Sequence, residues 1–67
     1  MSQRRLGATI RRMREERGLS QLGLAKRARV SQAYLSQLEA GQKSNPAVAI
    51  VQRLARALGV PIQDLVR

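Results

Sequence analysis

Residues 20–41 read SQLGLAKRARVSQAYLSQLEAG, and this stretch decides the fold. Ser20 and Ser31 each stand immediately before a helix-compatible run, the place where a side-chain oxygen caps the first free N–H groups. The first run spans 21–28, with Leu22, Ala25 and Ala28 as its inward face and Leu24 alongside. Ala25 is small enough to let another helix approach closely. Gly23 sits inside the run and costs about 1 kcal/mol relative to Ala. It also holds the position where Glu or Gln would complete a capping box. Such a helix depends on its neighbours. Arg29 and Val30 make a tight turn, and Ser31 opens a second run over 32–40 that Gly41 ends.

At about 100° per residue, that second run separates into two arcs. Gln32, Ala33, Ser36, Gln37 and Ala40 share one; Tyr34, Leu35, Leu38 and Glu39 share the other. Only the second is apolar enough to enter a core. The first is short, uncharged and hydrogen-bonding. Gln pairs with the N6/N7 edge of adenine and Ala touches a thymine methyl, so these residue types suit base edges in a major groove. A polar arc is also what any solvated helix presents, so the context has to decide.

The flanking segments are helical too. A first helix over 4–17 places Leu6, Ile10 and Met13 on one stripe, with Gly18 as the left-handed residue that ends it. Arg14 lies at the edge of that stripe, and Leu19 packs back toward the core. A polar loop, 42–45, leads to Asn45-Pro46, which reads as an N-cap followed by proline in the first helical position. Val48, Val51, Leu54, Ala55 and Leu58 form the buried stripe of a fourth helix, closed by Gly59. Pro61 opens a short fifth helix whose Ile62 and Leu65 face inward. The expectation is a single all-α domain of five helices spanning residues 1–67.

Composition narrows the chemistry. Thirteen Lys and Arg against four acids give a formal net charge of +9 in 67 residues, which favours a polyanionic partner, nucleic acid ahead of an anionic membrane surface. A lone aromatic, Tyr34, argues against a single-strand binder that stacks bases on several rings. The chain has neither Cys nor His, so disulfides, thiolate or zinc sites and most acid–base catalysis lose their usual residues. No cofactor, metal site or enzyme activity is expected. No apolar run approaches the roughly 20 residues of a membrane span, and residues 1–10 lack the apolar core of a signal peptide. A cytoplasmic, nucleoid-associated protein is expected.

Seven features in order resemble the phage-repressor (Cro/Xre-type) helix-turn-helix family. They are REERGLSQ at 14–21, LA at 24–25, VSQ at 30–32, YLSQLE at 34–39, Gly41, Asn45-Pro46 and ALGV at 57–60. No one of them is specific; their joint spacing is. The resemblance implies a lambda-repressor-like domain whose helix-turn-helix is formed by the second and third helices. It implies sequence-specific double-stranded DNA binding and transcriptional regulation, most naturally repression, by a homodimer on a two-fold operator. By the same resemblance Gln32, Ala33, Ser36 and Gln37 read bases. Ser20, Gln21, Ser31, Gln42, Lys43, Ser44 and Asn45 hold phosphates, contacts that position a protein rather than specify sequence. Arg14 and Glu39 match a structural ion pair that orients the recognition helix, and Ile50 and Val66 are candidate dimer contacts.

Two residues depart from the family pattern: Gly23 replaces an acid, and Arg29 stands where the turn usually carries Gly. Arg4, Arg5, Arg11, Arg12, Arg53 and Arg56 read as solvated surface. No small-molecule effector is evident. The competing readings are a protein-interaction module of antitoxin or coactivator type, since a fold does not fix a function, and a non-specific nucleic-acid binder.

Overall fold

The computed structural model describes residues 3–43 and 46–66, with side chains from Arg5 onward. Five helices follow one another: α1 (Gln3–Glu16), α2 (Gln21–Ala28), α3 (Gln32–Glu39), α4 (Val48–Leu58) and α5 (Gln63–Val66). There is no strand among the described residues. α1 packs on α3 and α2 on α4, with α5 closing against α1 and α4. Each helix turns its apolar stripe toward one cluster. Leu6, Ile10, Leu24, Leu35, Leu38 and Leu54 are fully buried at its centre. Met13, Leu19, Val30, Tyr34, Ile50 and Ile62 lean on it from outside.

Four helix ends use one device. After α1, α2, α3 and α4 the N–H of the sixth residue returns to the carbonyl of the first: Leu19 to Arg14, Val30 to Ala25, Gln42 to Gln37 and Val60 to Ala55, at 2.9–3.0 Å. This closure needs a left-handed residue just before it. Gly18, Gly41 and Gly59 supply three of them, whereas the fourth is Arg29 at φ 60°. A non-glycine residue there costs about 1–2 kcal/mol because its Cβ crowds the following carbonyl. Glycine would give back part of that gain through its larger loss of chain entropy on folding. Arg29→Gly is therefore expected to raise stability by about 1 kcal/mol, read as a higher midpoint in thermal or urea unfolding. An unchanged or lowered midpoint would mean that the Arg29 side chain offsets the strain.

Arginines reinforce these ends. Arg17 Nε donates to Leu58 O at 2.8 Å, tying α1 to the end of α4. Arg53 donates from Nε to Ala28 O at 3.1 Å and from Nη2 to Arg29 O at 2.8 Å, clamping the end of α2. Carbonyls at a helix C-terminus carry unsatisfied negative partial charge, so a guanidinium is a fitting partner. Arg53, expected to be solvated, is a capping group instead.

Three further expectations are corrected. α4 begins at Val48 with Ala47 as an N-cap that makes no side-chain hydrogen bond; Asn45 lies outside the described residues. Pro46 therefore precedes the helix. Its fixed φ is shared by helical and extended backbone, and Ala47 is extended, with ψ 142°. Val48 is 67% exposed, because the packing that covers Val51, Leu54 and Leu58 does not reach the first turn. Leu22 is 46% exposed while Leu24 is fully buried, since two turns hold too few apolar positions for spacing alone to choose the face.

α1 crosses α3 at Gly7. A Cβ built there would collide with the Leu38 carbonyl oxygen and lie 3.0 Å from Glu39 Cα, so the two backbones meet with nothing between them.

Candidate nucleic-acid interface

The site is assembled around α3. Ser31 is extended and its Oγ accepts from the Tyr34 N–H at 2.9 Å. Leu35 and Leu38 anchor one side of the helix in the core. The opposite side leaves Gln32, Ala33, Ser36 and Gln37 all exposed. The burial of two leucines thus forces the four polar or small residues outward together, and their amide and hydroxyl groups are free to meet a ligand.

α2 is capped in the same way, with Ser20 Oγ accepting from the Gly23 N–H at 2.9 Å. The N–H groups of Gln21 and Leu22 belong to the first turn and have no partner within the helix. They add to the positive end of its dipole, a ready place for an anion.

A part-buried network ties the two helices to α1. Arg14 donates from Nε to Glu39 Oε2 at 2.8 Å and from Nη2 to Glu39 Oε1 at 3.0 Å. Its Nη1 donates to Leu19 O at 2.8 Å. The side chains are only 11% and 4% exposed. The arginine pKa is held above its ordinary value, chiefly by the hydrogen bond to Glu39; burial acts against it and the nearby carboxylates Glu39 and Glu15 act with it. Gln21 Nε2 donates to Glu39 Oε1 at 3.1 Å. One carboxylate at the end of α3 therefore receives three bonds and fixes α3 relative to the start of α2. The Gln21 bond is absent from the sequence reading, because eighteen residues separate the partners and no local spacing signals it.

Lys43 is drawn to the same side. Its Nζ lies 5.1 Å from the centre of the Tyr34 ring, a cation–π distance that positions the ammonium beside α3. Gln42 is exposed, with its N–H committed to Gln37 O. Ser44 and Asn45 lie outside the described residues. Ile50 leans on the core and is half-buried, whereas Val66 is 37% exposed. Among the described residues no helix is long and apolar enough to cross a membrane.

Five packed helices, with two short ones joined by a left-handed turn and the second displaying a polar face, define a helix-turn-helix protein. The chain belongs to the HTH_3 helix-turn-helix family, which it matches over residues 10–65. It is 45% identical over 67 residues to the uncharacterized HTH-type transcriptional regulator y4dJ of Sinorhizobium fredii, covering 98% of this chain and 86% of that protein. It is 34% identical over 61 residues to the immunity repressor protein of Bacillus phage phi105, covering 91% of this chain but 42% of the repressor. Two solved structures are similar. The restriction-modification controller protein C.AhdI of Aeromonas hydrophila superposes with a TM-score of 0.90 at 30% identity, over 94% of each chain. The biofilm master regulator SinR, in complex with DNA, gives 0.89 at 31% identity, over 92% of this chain and 98% of that one. The chain thus spans most of y4dJ and of these two structures, but less than half of the phage repressor.

Proposed function

We propose that the protein is a sequence-specific double-stranded DNA-binding transcriptional repressor that lays α3 in the major groove. The observation that carries this reading is the exposed Gln32–Ala33–Ser36–Gln37 face, held on a helix that the buried Leu35 and Leu38 anchor in the core and whose ends are both fixed. Glutamine amides offer a donor and an acceptor together, the pattern adenine presents in the major groove. Ser20, Gln21, Ser31, Gln42 and Lys43 grip flanking phosphates, with Ser44 and Asn45 assigned the same role from the sequence. The net charge of +9 supplies the sequence-independent attraction.

The protein acts as a two-fold pair on half-sites about 34 Å apart. Ile50 and Val66 are the proposed pairing residues, Val66 being an exposed apolar side chain and Ile50 half-buried.

The test is selection of bound duplexes from a randomised pool near physiological salt, followed by sequencing. An enriched two-fold symmetric motif is expected. On that motif Gln32→Ala and Gln37→Ala should each cost about 1–3 kcal/mol and relax the preference at particular base pairs. Lys43→Ala should weaken all duplexes alike and flatten the dependence on salt. A pool that stays random, with binding that collapses as salt rises, would remove the base-reading roles and leave only backbone attraction.

A further inference from the structure

We propose a second anion site away from the reading face: a phosphate-binding cleft formed by Arg27, Arg29, Arg53 and Arg56. The cleft is open, about 450 Å³ in volume, and is completed by Ala28 and Ala57. It lies between the C-terminal end of α2 and the second half of α4, and none of the four base-reading candidates lines it.

Four arginines line one cleft and no acid does, so like charges gather there without a compensating carboxylate. Three of the four acids in the chain are engaged on or near α1: Glu15 with Arg11, Glu16 with Arg17 and Glu39 with Arg14. Capping of α2 explains Arg53, whose Nε and Nη2 are bound to carbonyl oxygens. It does not explain Arg27, Arg29 or Arg56. The turn itself points the same way. Of four helix ends closed by a left-handed residue, the single one that carries a side chain is Arg29, and that residue lines the cleft.

The chemistry that suits this arrangement is phosphate. Guanidinium forks bond two oxygens of one phosphate at once and stay charged at any working pH. Arg53, pinned by the α2 carbonyls, is pre-positioned, which lowers the ordering cost of binding. The apolar floor is only two alanines, so the site fits a compact anionic group rather than an extended apolar ligand. That phosphate has two sources: a free phosphorylated small molecule, or a phosphodiester of DNA flanking the operator.

The experiment titrates inorganic pyrophosphate into the full chain at constant ionic strength, following the arginine Nε–H signals by NMR. Wild type is compared with the double variant Arg29→Gly/Arg56→Gln. Saturable shifts confined to Arg27, Arg29, Arg53 and Arg56, weakened about tenfold in the variant, are expected. The variant should also unfold at a higher midpoint than Arg56→Gln alone, so weaker binding cannot be ascribed to lost structure. A parallel arm measures affinity for a short duplex and for one with long flanks. A loss confined to the flanked duplex assigns the phosphate to DNA; equal affinities with saturable pyrophosphate binding assign it to a free ligand. Shifts spread evenly over all arginines, or a variant that behaves as wild type in both arms, would overturn the proposal.

Discussion

Glu39→Ala is expected to destabilise the protein by about 3 kcal/mol, the low end of the cost of leaving one member of a buried pair without its partner, because this pair is part-buried. A chain of this length has about 3–10 kcal/mol of total stability, so the variant will be largely unfolded near its growth temperature or survive with a much lowered midpoint. The size follows from what is lost. Glu39 accepts two bonds from Arg14 and one from Gln21, and without it the nearly enclosed guanidinium keeps only Leu19 O. Exposed pairs such as Arg11–Glu15, with both side chains more than half exposed, contribute about 0–1 kcal/mol. Urea unfolding of Glu39→Ala beside Glu15→Ala separates the two regimes.

A double replacement sharpens the test. Arg14→Met with Glu39→Leu removes both charges and fills the space with apolar atoms, an exchange that is often neutral for stability. Most of the lost stability should return. DNA affinity should not, because the tie between α3 and Gln21 is gone and the start of α2 is no longer fixed against α3, the helix proposed to enter the groove. Recovery of both would reduce the network to a stability element. A loss below about 1 kcal/mol for Glu39→Ala would place the pair among ordinary surface contacts.

Much of the molecule was legible in the sequence because its signals are local. Serine caps, left-handed glycines and the 3.6-residue spacing of leucines are each written within a few positions, so four helices and the turn fall within a residue or two of their expected limits. The exposed face of α3 is legible for the same reason, since burying Leu35 and Leu38 determines which residues point away. Periodicity misleads where no neighbouring element packs against it. Leu22 and Val48 lie on helix ends that nothing covers, so their apolar character misassigned them. Arg53 escapes a sequence reading because its partners, Ala28 O and Arg29 O, are backbone atoms twenty-five and twenty-four residues away, and carbonyls leave no mark in a sequence. Lys43 and Tyr34 meet only because the chain reverses at Gly41.

Gly7 is the extreme case of this blindness. Helix propensity alone ranks glycine as a flaw, and Gly7→Ala would be expected to add about 0.8–1 kcal/mol of stability. The geometry reverses the sign. The new methyl would enter the Leu38 carbonyl oxygen and press on Glu39 Cα, backbone atoms that no rotamer change can move aside. Overpacking in a core costs about 1–3 kcal/mol and sometimes more; with no side chain to yield, the upper part of that range applies. After the propensity gain, a net loss of about 2 kcal/mol is expected. The strain falls on the residue that holds Arg14 and Gln21, so DNA affinity should fall along with stability. Ala8→Gly, one position along at an exposed site, provides the mirror control, since propensity alone acts there and a loss of about 1 kcal/mol is expected. Unfolding midpoints for the two variants decide the matter. A Gly7→Ala protein as stable as wild type would mean that α1 and α3 can separate at little cost, and the close backbone crossing would lose its role in holding α3.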